Sequence, residues 1–200
     1  MLILAFDTSS SGFSIALLDD EKILAKKVIA ESGKQSELLI PEIEKILKEQ
    51  NIWYQNLELI ATTSGPGTFT GTRIALTTAR TLKAALAIPL ILLNCCETSA
   101  FAARDHNGEI FVALDAAMDE LFFAKYSCEN KKLHCLTEPC LISASELQNL
   151  LPKTDFTICK ENPSADLVGL LAFQKFQNKN FSKNSDALYL RAPRITERKK

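Results

Sequence analysis

A glycine-rich segment holds the residues whose types and spacing come nearest to a chemical motif. Gly65, Gly67 and Gly71 lie within seven residues of TTSGPGTFTGTRIAL, and Pro66 separates the first two. Glycine-rich turns that lead into a helix can direct backbone N–H groups at a phosphate. The Walker A spacing is not met, because Gly71 falls one place late and Thr72 follows it instead of lysine. The segment therefore lacks the cation that reaches the terminal phosphates of a nucleotide.

The same segment fails the dinucleotide fingerprint G-x-G-x-x-G, since Thr70 stands where the third glycine belongs. A structural alternative accounts for its residues. Glycines with positive φ and a proline that fixes one φ make a tight strand-to-helix turn, and Thr70 can cap the following helix. From the residues alone, we interpret Gly65, Pro66, Gly67 and Gly71 as a structural turn.

Histidines and cysteines form no recognisable catalytic set in the sequence. His106 and His134 lie far apart, and no nucleophile–histidine pair follows from their neighbours. The six cysteines are scattered without a C-x-x-C pair, which favours reduced thiols of a cytosolic protein. A metal site made by Cys128, His134, Cys135 and Cys140 stays open as an alternative, although its spacing matches no common zinc pattern.

The composition is that of a globular protein with one large domain or two small lobes. The 200 residues are 46% hydrophobic, and 23 basic against 24 acidic side chains give a net charge of −1. This balance does not favour a polyanion-binding surface. The longest apolar run, residues 84–93, is too short to span a membrane. Since the first residues indicate a buried strand rather than a signal peptide, we expect a cytoplasmic protein.

Strand and helix patterns alternate along the first half of the chain. Three short apolar runs predict a meander of strands that ends near residue 30. Ser36 is expected to cap a helix over residues 37–50, and Pro41 to kink it or shift its start. The apolar side of this helix carries Leu39, Ile43, Ile46 and Leu47. A strand, a second helix and another strand follow, at residues 57–64, 72–87 and 89–94.

The second half of the chain repeats this order. Two segments share one pattern, in which an apolar strand ends with an aspartate before a polar turn and a return strand. They are LILAFDTSSSGFSIALLD, with Asp7, and IFVALDAAMDELFFAKYS, with Asp115. The sequence thus predicts an α/β fold of duplicated β-β-β-α-β-α lobes, the actin-like arrangement shared with Hsp70 and sugar kinases, with the second lobe shortened. In that superfamily such aspartates address phosphate and metal, and capping by Asx turns is the alternative role. The expected divisions are residues 1–100, 101–188 and a basic tail over 189–200.

Several segments resemble the bacterial TsaB (YeaZ) family. They are ILAFDTSS, SELLIPEIEKIL, SGPGTFTGTRIAL, LDAAMDELFFAKY and a closing YLR, in the family's order over nearly the whole chain. The resemblance implies a non-catalytic, actin-like partner of TsaD, which carries the metal and the transfer chemistry. It implies a scaffold role, with a TsaE-type ATPase, in making threonylcarbamoyladenosine next to the anticodon of tRNA.

The resemblance also implies partners and cofactors. We expect the chain to dock on TsaD through helices of its first lobe, and to pair with a second copy through the same surface. It would meet tRNA only through the complex, and it has no membrane partner. We expect no cofactor of its own, with ATP or ADP at the interface with partners left open.

The expected site residues lie in these motifs. Asp7, Thr8 and Asp115 are the candidates for binding a cofactor, and no catalytic residue or metal ligand is assigned. On the second helix, three small residues recur every four positions and share one face, which would let a partner helix approach closely. Packing of this face inside the lobe is the alternative. The predicted partner interface consists of Leu39, Ile43, Leu47, Ile74, Thr77, Thr78, Thr81 and Ala85.

The sequence departs from the family's pattern in three ways. Threonine and alanine replace the glycines common along the second helix, Gln35 stands where a histidine is usual, and the segment after the last strand is shorter. The third departure argues against a nucleotide contact by the second lobe. Two other interpretations stay open, an ATP-dependent kinase or hydrolase of the actin-like superfamily and direct tRNA contact by the basic tail. The cations of the tail are Arg191, Arg194, Arg198, Lys199 and Lys200.

Overall fold

The structure is a computed structural model that describes residues 1–152, 156–179 and 186–190. The strands are β1 Leu2–Asp7, β2 Phe13–Asp19, β3 Lys22–Ile29, β4 Leu59–Thr63, β5 Leu90–Leu93, β6 Gly108–Asp115, β7 Glu120–Glu129, β8 Lys132–Ser143 and β9 Phe156–Cys159. The helices are α1 Gln35–Glu49, α2 Phe69–Leu86, α3 Cys95–Phe101, α4 Ala144–Leu150 and α5 Ala165–Gln177. Within the described ranges, no helix combines the length and the apolar character needed to cross a membrane.

Five strands form the first sheet in the order β3-β2-β1-β4-β5. β1, β2 and β3 pair antiparallel as the predicted meander, whereas β4 runs parallel to β1 and to β5. Both faces of β1 are buried. Leu4 and Phe6 pack with residues of α1 and α2, while Ile3 and Ala5 pack with residues of α5. Because helices cover both faces, the central strands are mainly apolar instead of alternating.

Four strands form the second sheet in the order β8-β7-β6-β9. β9 is parallel to β6, and the other pairs are antiparallel. On one face α3 packs through residues such as Cys96 and Ala100, and on the other α4 packs through Leu147. Two mixed sheets with helices on their faces confirm the predicted α/β class, and the second sheet is the smaller one.

Two helices cross from one sheet to the other. α3 follows β5 of the first sheet but packs on β6 and β7 of the second. α5 follows β9 of the second sheet but packs on β1 and β2 of the first, where Val168 and Leu171 enter the buried core. The packing therefore does not follow the division expected at residue 100. We define the first lobe as β1–β5 with α1, α2 and α5, and the second lobe as β6–β9 with α3 and α4.

The first helix begins earlier than the sequence predicted. α1 starts at Gln35, so Ser36 lies inside the helix and does not cap it, and Pro41 is accommodated within the helix. Gln35 is buried, and its Nε2 donates to the carbonyl oxygens of Ser10 and Ser11 at 3.1 and 2.7 Å. This contact with the loop after β1 fixes the first turn of α1, which local sequence patterns do not reveal.

Candidate functional site

The loop after β1 and the turn before α2 meet at the mouth of a cleft between the two lobes. Thr68 N donates to Ser9 O at 2.7 Å, and Thr8 Oγ1 donates to Gly71 O at 2.6 Å. Thr68 caps α2, since its Oγ1 accepts from Gly71 N at 3.2 Å. The expected cap, Thr70, therefore lies inside the helix, and α2 begins three residues before its predicted start.

Glycine is required in this turn for two different physical reasons. A Cβ at Gly67 would stand 2.5 Å from Ser9 O, and a Cβ at Gly71 would stand 1.9 Å from Thr8 O. These two positions are glycine because the backbone of the β1 loop approaches so closely. Gly65 instead has a φ of +101°, in the region that side chains disfavour. The turn lies between β4 and α2, where the sequence placed it.

Asp7 ends β1 with its carboxylate turned into the protein. The residue is 2% exposed, and its Oδ1 accepts from Thr63 Oγ1. Its Oδ2 accepts from Ser9 Oγ at 3.1 Å and from Ser9 N at 3.3 Å. Burial raises the pKa of Asp7 from the ordinary 3.8 to about 6, although these donors lower it in part. Both carboxylate oxygens thus accept from the chain's own donors, and the neighbouring Thr8 is also buried.

Asp115 faces the cleft from the second lobe, at the end of β6. It is exposed, and its Oδ1 accepts from Ala117 N at 2.7 Å in an Asx turn. The cleft has a volume of about 410 Å³ and is lined by residues 9–11, 66–69, 115–117, 122, 162 and 188–190. Of the three candidate cofactor-binding residues, the structure brings Asp115 to the cleft and encloses Asp7 and Thr8 beneath it.

The outward face of α2 carries the small residues that the sequence singled out. Thr77, Thr81 and Ala85 are exposed, whereas Ala75 and Ala79 are buried against the first sheet. The helix thus presents one face to the core and keeps the small-residue face accessible within this chain. Within residues 1–152, 156–179 and 186–190, that face is not packed inside the lobe, which was the alternative drawn from the sequence.

A groove runs beside the first half of this face, and we call it the α2 groove. It has a volume of about 470 Å³ and is lined by Ser36, Phe69, Thr70, Arg73, Ile74, Thr77 and Thr78. Arg73 Cζ lies 5.1 Å from the centroid of the Phe69 ring, and the Tyr189 ring lies 5.3 Å from the same ring. The sequence analysis did not single out Arg73, Phe69 or Tyr189 as site residues. Phe69 lies before the predicted start of the helix, and its partner Tyr189 is remote in sequence.

Three predicted interface residues belong instead to the core of the first lobe. Leu39, Ile43 and Leu47 are 1%, 0% and 3% exposed and pack with residues of β1 and β2. The prediction of direct partner contact is wrong for these side chains, because the apolar side of α1 covers the sheet. Ile40, which is 41% exposed, is the large apolar residue that α1 turns outward.

The remaining titratable residues do not assemble a site. Among the described residues, no group of three or more His, Cys, Asp or Glu side chains could hold a metal ion, so the cysteine–histidine quartet is not brought together. Cys95 is buried next to Asp7, and burial raises the pKa of its thiol to about 12. The cations of the basic tail, at 191–200, lie outside the described residues.

The chain matches one family model and several curated proteins. The model is described as TsaD, tRNA N6-adenosine threonylcarbamoyltransferase, and it matches residues 23–187. A Bacillus subtilis protein named tRNA threonylcarbamoyladenosine biosynthesis protein TsaB is 29% identical over 155 residues, which cover 78% of this chain and 68% of the relative. An Escherichia coli protein of the same name is 30% identical over 128 residues, covering 63% of this chain and 55% of the relative.

A solved structure shares the whole fold. YeaZ from Pseudomonas aeruginosa superposes with a TM-score of 0.78 over 94% of this chain and 99% of that chain, at 23% identity. A likeness at this level of identity shows the fold. The chain thus shares the fold of YeaZ, and its own two sheets have five and four strands.

Proposed function

Because the chain belongs to the TsaB (YeaZ) family, we propose that it is a non-catalytic subunit in the synthesis of threonylcarbamoyladenosine on tRNA. It docks through the exposed face of α2 on a TsaD-type subunit, which carries out the transfer. The observation that carries this proposal is the small-residue face of α2, which is exposed in the part of the chain that the structure describes, whereas the opposite face packs on the first sheet.

The shape of this face suits a helix of another chain. Thr77, Thr81 and Ala85 lie one above the other at four-residue spacing. Small side chains on such a stripe allow two helix axes to come close, because the interaxial distance depends on the residues at the contact. The α2 groove continues the stripe and gives a larger side chain of the partner a place to enter.

The charge of α2 indicates the chemistry of the partner. The helix carries Arg73, Arg80 and Lys83, all on exposed positions, and it has no aspartate or glutamate. Complementary charges steer association and suppress wrong partners. We therefore expect the partner's surface to carry acidic side chains opposite Arg73 and Lys83.

The position of Asp7 supports a non-catalytic role. A carboxylate that addresses phosphate or metal has to offer free oxygens to them, whereas those of Asp7 accept from Thr63 and Ser9 inside the protein. Of the two duplicated aspartates, Asp7 and Asp115, Asp115 is the one that lines the cleft. We place ATP or ADP at the interface with partners, rather than as a cofactor of this chain alone.

The same face serves the other associations of the chain. A second copy competes with the TsaD-type subunit for α2, so the homodimer and the heterodimer exclude each other. A TsaE-type ATPase and tRNA meet the chain through the assembled complex, and the assembly works in the cytoplasm.

A glutamate in the small-residue stripe tests the docking face. Thr81→Glu puts a carboxylate into a desolvated contact and opposite an acidic partner. An unpaired buried charge costs about 4 kcal/mol, which is on the order of a thousandfold in affinity. The measurement is sedimentation of the chain with purified TsaD-type subunit, together with the melting temperature of the variant.

The matched control is Thr137→Glu, which changes an exposed threonine of β8 on the second lobe. It should melt and associate as the unchanged chain does. A Thr81→Glu variant that stays folded and binds TsaD at full strength would place the interface elsewhere. A variant that unfolds would show that the stripe is needed for the fold of the chain itself.

A further inference from the structure

A short segment near the end of the described chain crosses the cleft. Residues 188–190 line the cleft, together with residues 66–69 of the glycine turn and the start of α2. Leu188 N donates to Ser64 O at 2.7 Å, and Leu188 O lies so near Gly65 that a Cβ there would stand 2.7 Å away. The backbone of this segment is therefore fastened to the first lobe at the loop after β4.

The next residues of the segment make contacts in both lobes. Leu190 packs against the buried cluster of the second lobe that includes Ala116 and Phe122. Tyr189 turns the other way, and its ring lies 5.3 Å from the ring of Phe69 with an interplanar angle of 35°. Within three residues, the segment thus joins the glycine turn, the first turn of α2 and the core of the second lobe.

Phe69 occupies a particular place in this arrangement. Its ring helps to line the cleft on one side and the α2 groove on the other. Phe69 and Tyr189 are each 44% exposed, so their contact lies at the surface and can open without exposing the core. The contact is strong enough to bias a conformation and weak enough to be released.

We propose that residues 186–190 form an inter-lobe latch that sets the width of the cleft, with the Tyr189–Phe69 ring contact as its releasable point. When the rings part, the Leu188–Ser64 hydrogen bond is the remaining contact described between the segment and the first lobe, so the second lobe can move farther from the glycine turn. All contacts of the latch lie within one chain, but Phe69 also lines the α2 groove. A molecule that enters this groove and shifts Phe69 would therefore open the latch.

The test measures the distance between the lobes directly. Spin labels are placed through non-natural amino acids at Glu31 and Met118, two exposed positions in the first and second lobes. Double electron–electron resonance then gives the distance distribution of the full chain. Tyr189→Ala should enlarge the long-distance population roughly three- to tenfold, the factor that an aromatic pair contributes.

Two control variants isolate the ring contact. Tyr189→Phe keeps the aromatic ring and should reproduce the distribution of the unchanged chain. Trp53→Ala removes an aromatic side chain that is 75% exposed and does not line the cleft. It should also leave the distance distribution unchanged.

The remaining outcomes overturn the proposal. An unaltered distance distribution in Tyr189→Ala would show that the ring contact does not set the width of the cleft. A broadened distribution in Trp53→Ala as well would show a general response to surface truncation. A Tyr189→Ala chain that loses its cooperative thermal transition would show that the segment serves the fold and not the width of the cleft.

Discussion

The carboxyl group of Asp7 makes the stability of the chain depend on pH in an unusual direction. Its pKa is about 6 when folded, against an ordinary 3.8, because it is buried. Between these values the folded chain keeps a proton that the unfolded chain has released. Stability therefore falls as pH rises from about 4 to 6, by roughly 3 kcal/mol from this group.

Asp7→Asn should remove this component, because an amide does not titrate. The free energy of unfolding is measured with urea at several values between pH 4 and pH 7.5, for both chains. The stability of the unchanged chain relative to the asparagine variant should rise by roughly 3 kcal/mol as the pH falls from about 6 to about 4. Parallel curves over the whole range would contradict the raised pKa.

Gly71 is required by the backbone of another loop and not by its own conformation. A Cβ at this position would stand 1.9 Å from Thr8 O, which belongs to the backbone and cannot rotate away. We expect Gly71→Ala to lower the free energy of unfolding by about 3 kcal/mol or more. This loss exceeds the gain of about 1 kcal/mol that alanine brings to a helix.

Denaturant unfolding checks this expectation, with Thr70→Ala as the control on the neighbouring exposed position. The control should change stability by less than about 0.5 kcal/mol. If Gly71→Ala were as stable as the control, the close approach of the two backbones would not hold in solution.

The glycine segment also shows which features of single residues could be predicted from the sequence. Its composition predicted a sharp turn before a helix, and that turn is present. It did not reveal that Gly67 and Gly71 are glycine because the β1 loop touches them, since that loop is remote in sequence. For the same reason the burial of Asp7 could not be predicted, although its place at the end of a strand could.

At the scale of elements, α5 is the least predictable part of the fold. Its sequence, ADLVGLLAFQKFQ, is apolar on most sides, which indicates burial without saying what covers it. The structure places it on the first sheet, across the boundary that chain order suggested. Most strands and helices were predicted because their periodicity is local, although helix α3 was not, whereas the choice of sheet is a long-range property.

Leu171 tests the contribution of α5 to the first lobe. It is 5% exposed and belongs to the same buried cluster as Ile3 and Leu18. Leu171→Ala should cost about 2 to 5 kcal/mol of unfolding free energy, through lost burial and a cavity. The matched control is Leu150→Ala on α4, where the leucine is 49% exposed. Equal costs for the two variants would mean that α5 does not pack on the first sheet as described.

At the scale of the whole molecule, the cleft between the lobes is lined by Asp115, whereas Asp7 is buried outside its lining. We expect the purified chain not to turn over ATP in the presence of Mg²⁺, because Asp7 is enclosed and Asp115 reaches the cleft alone. Phosphate release is measured over hours, with Asp115→Asn as the control. Steady release that Asp115→Asn abolishes would revive the interpretation as an ATP-dependent kinase or hydrolase.

The packing of α5 on the first sheet has a consequence for folding during translation. Residues 1–93 contain every strand of the first sheet, yet one side of that sheet awaits Val168 and Leu171. While the ribosome translates the second lobe, the nascent first lobe must carry an uncovered apolar surface. Exposed apolar surfaces promote aggregation, and chaperones bind them. A stalled or truncated chain that ends before residue 165 should therefore bind chaperones and aggregate, even though its first sheet is complete.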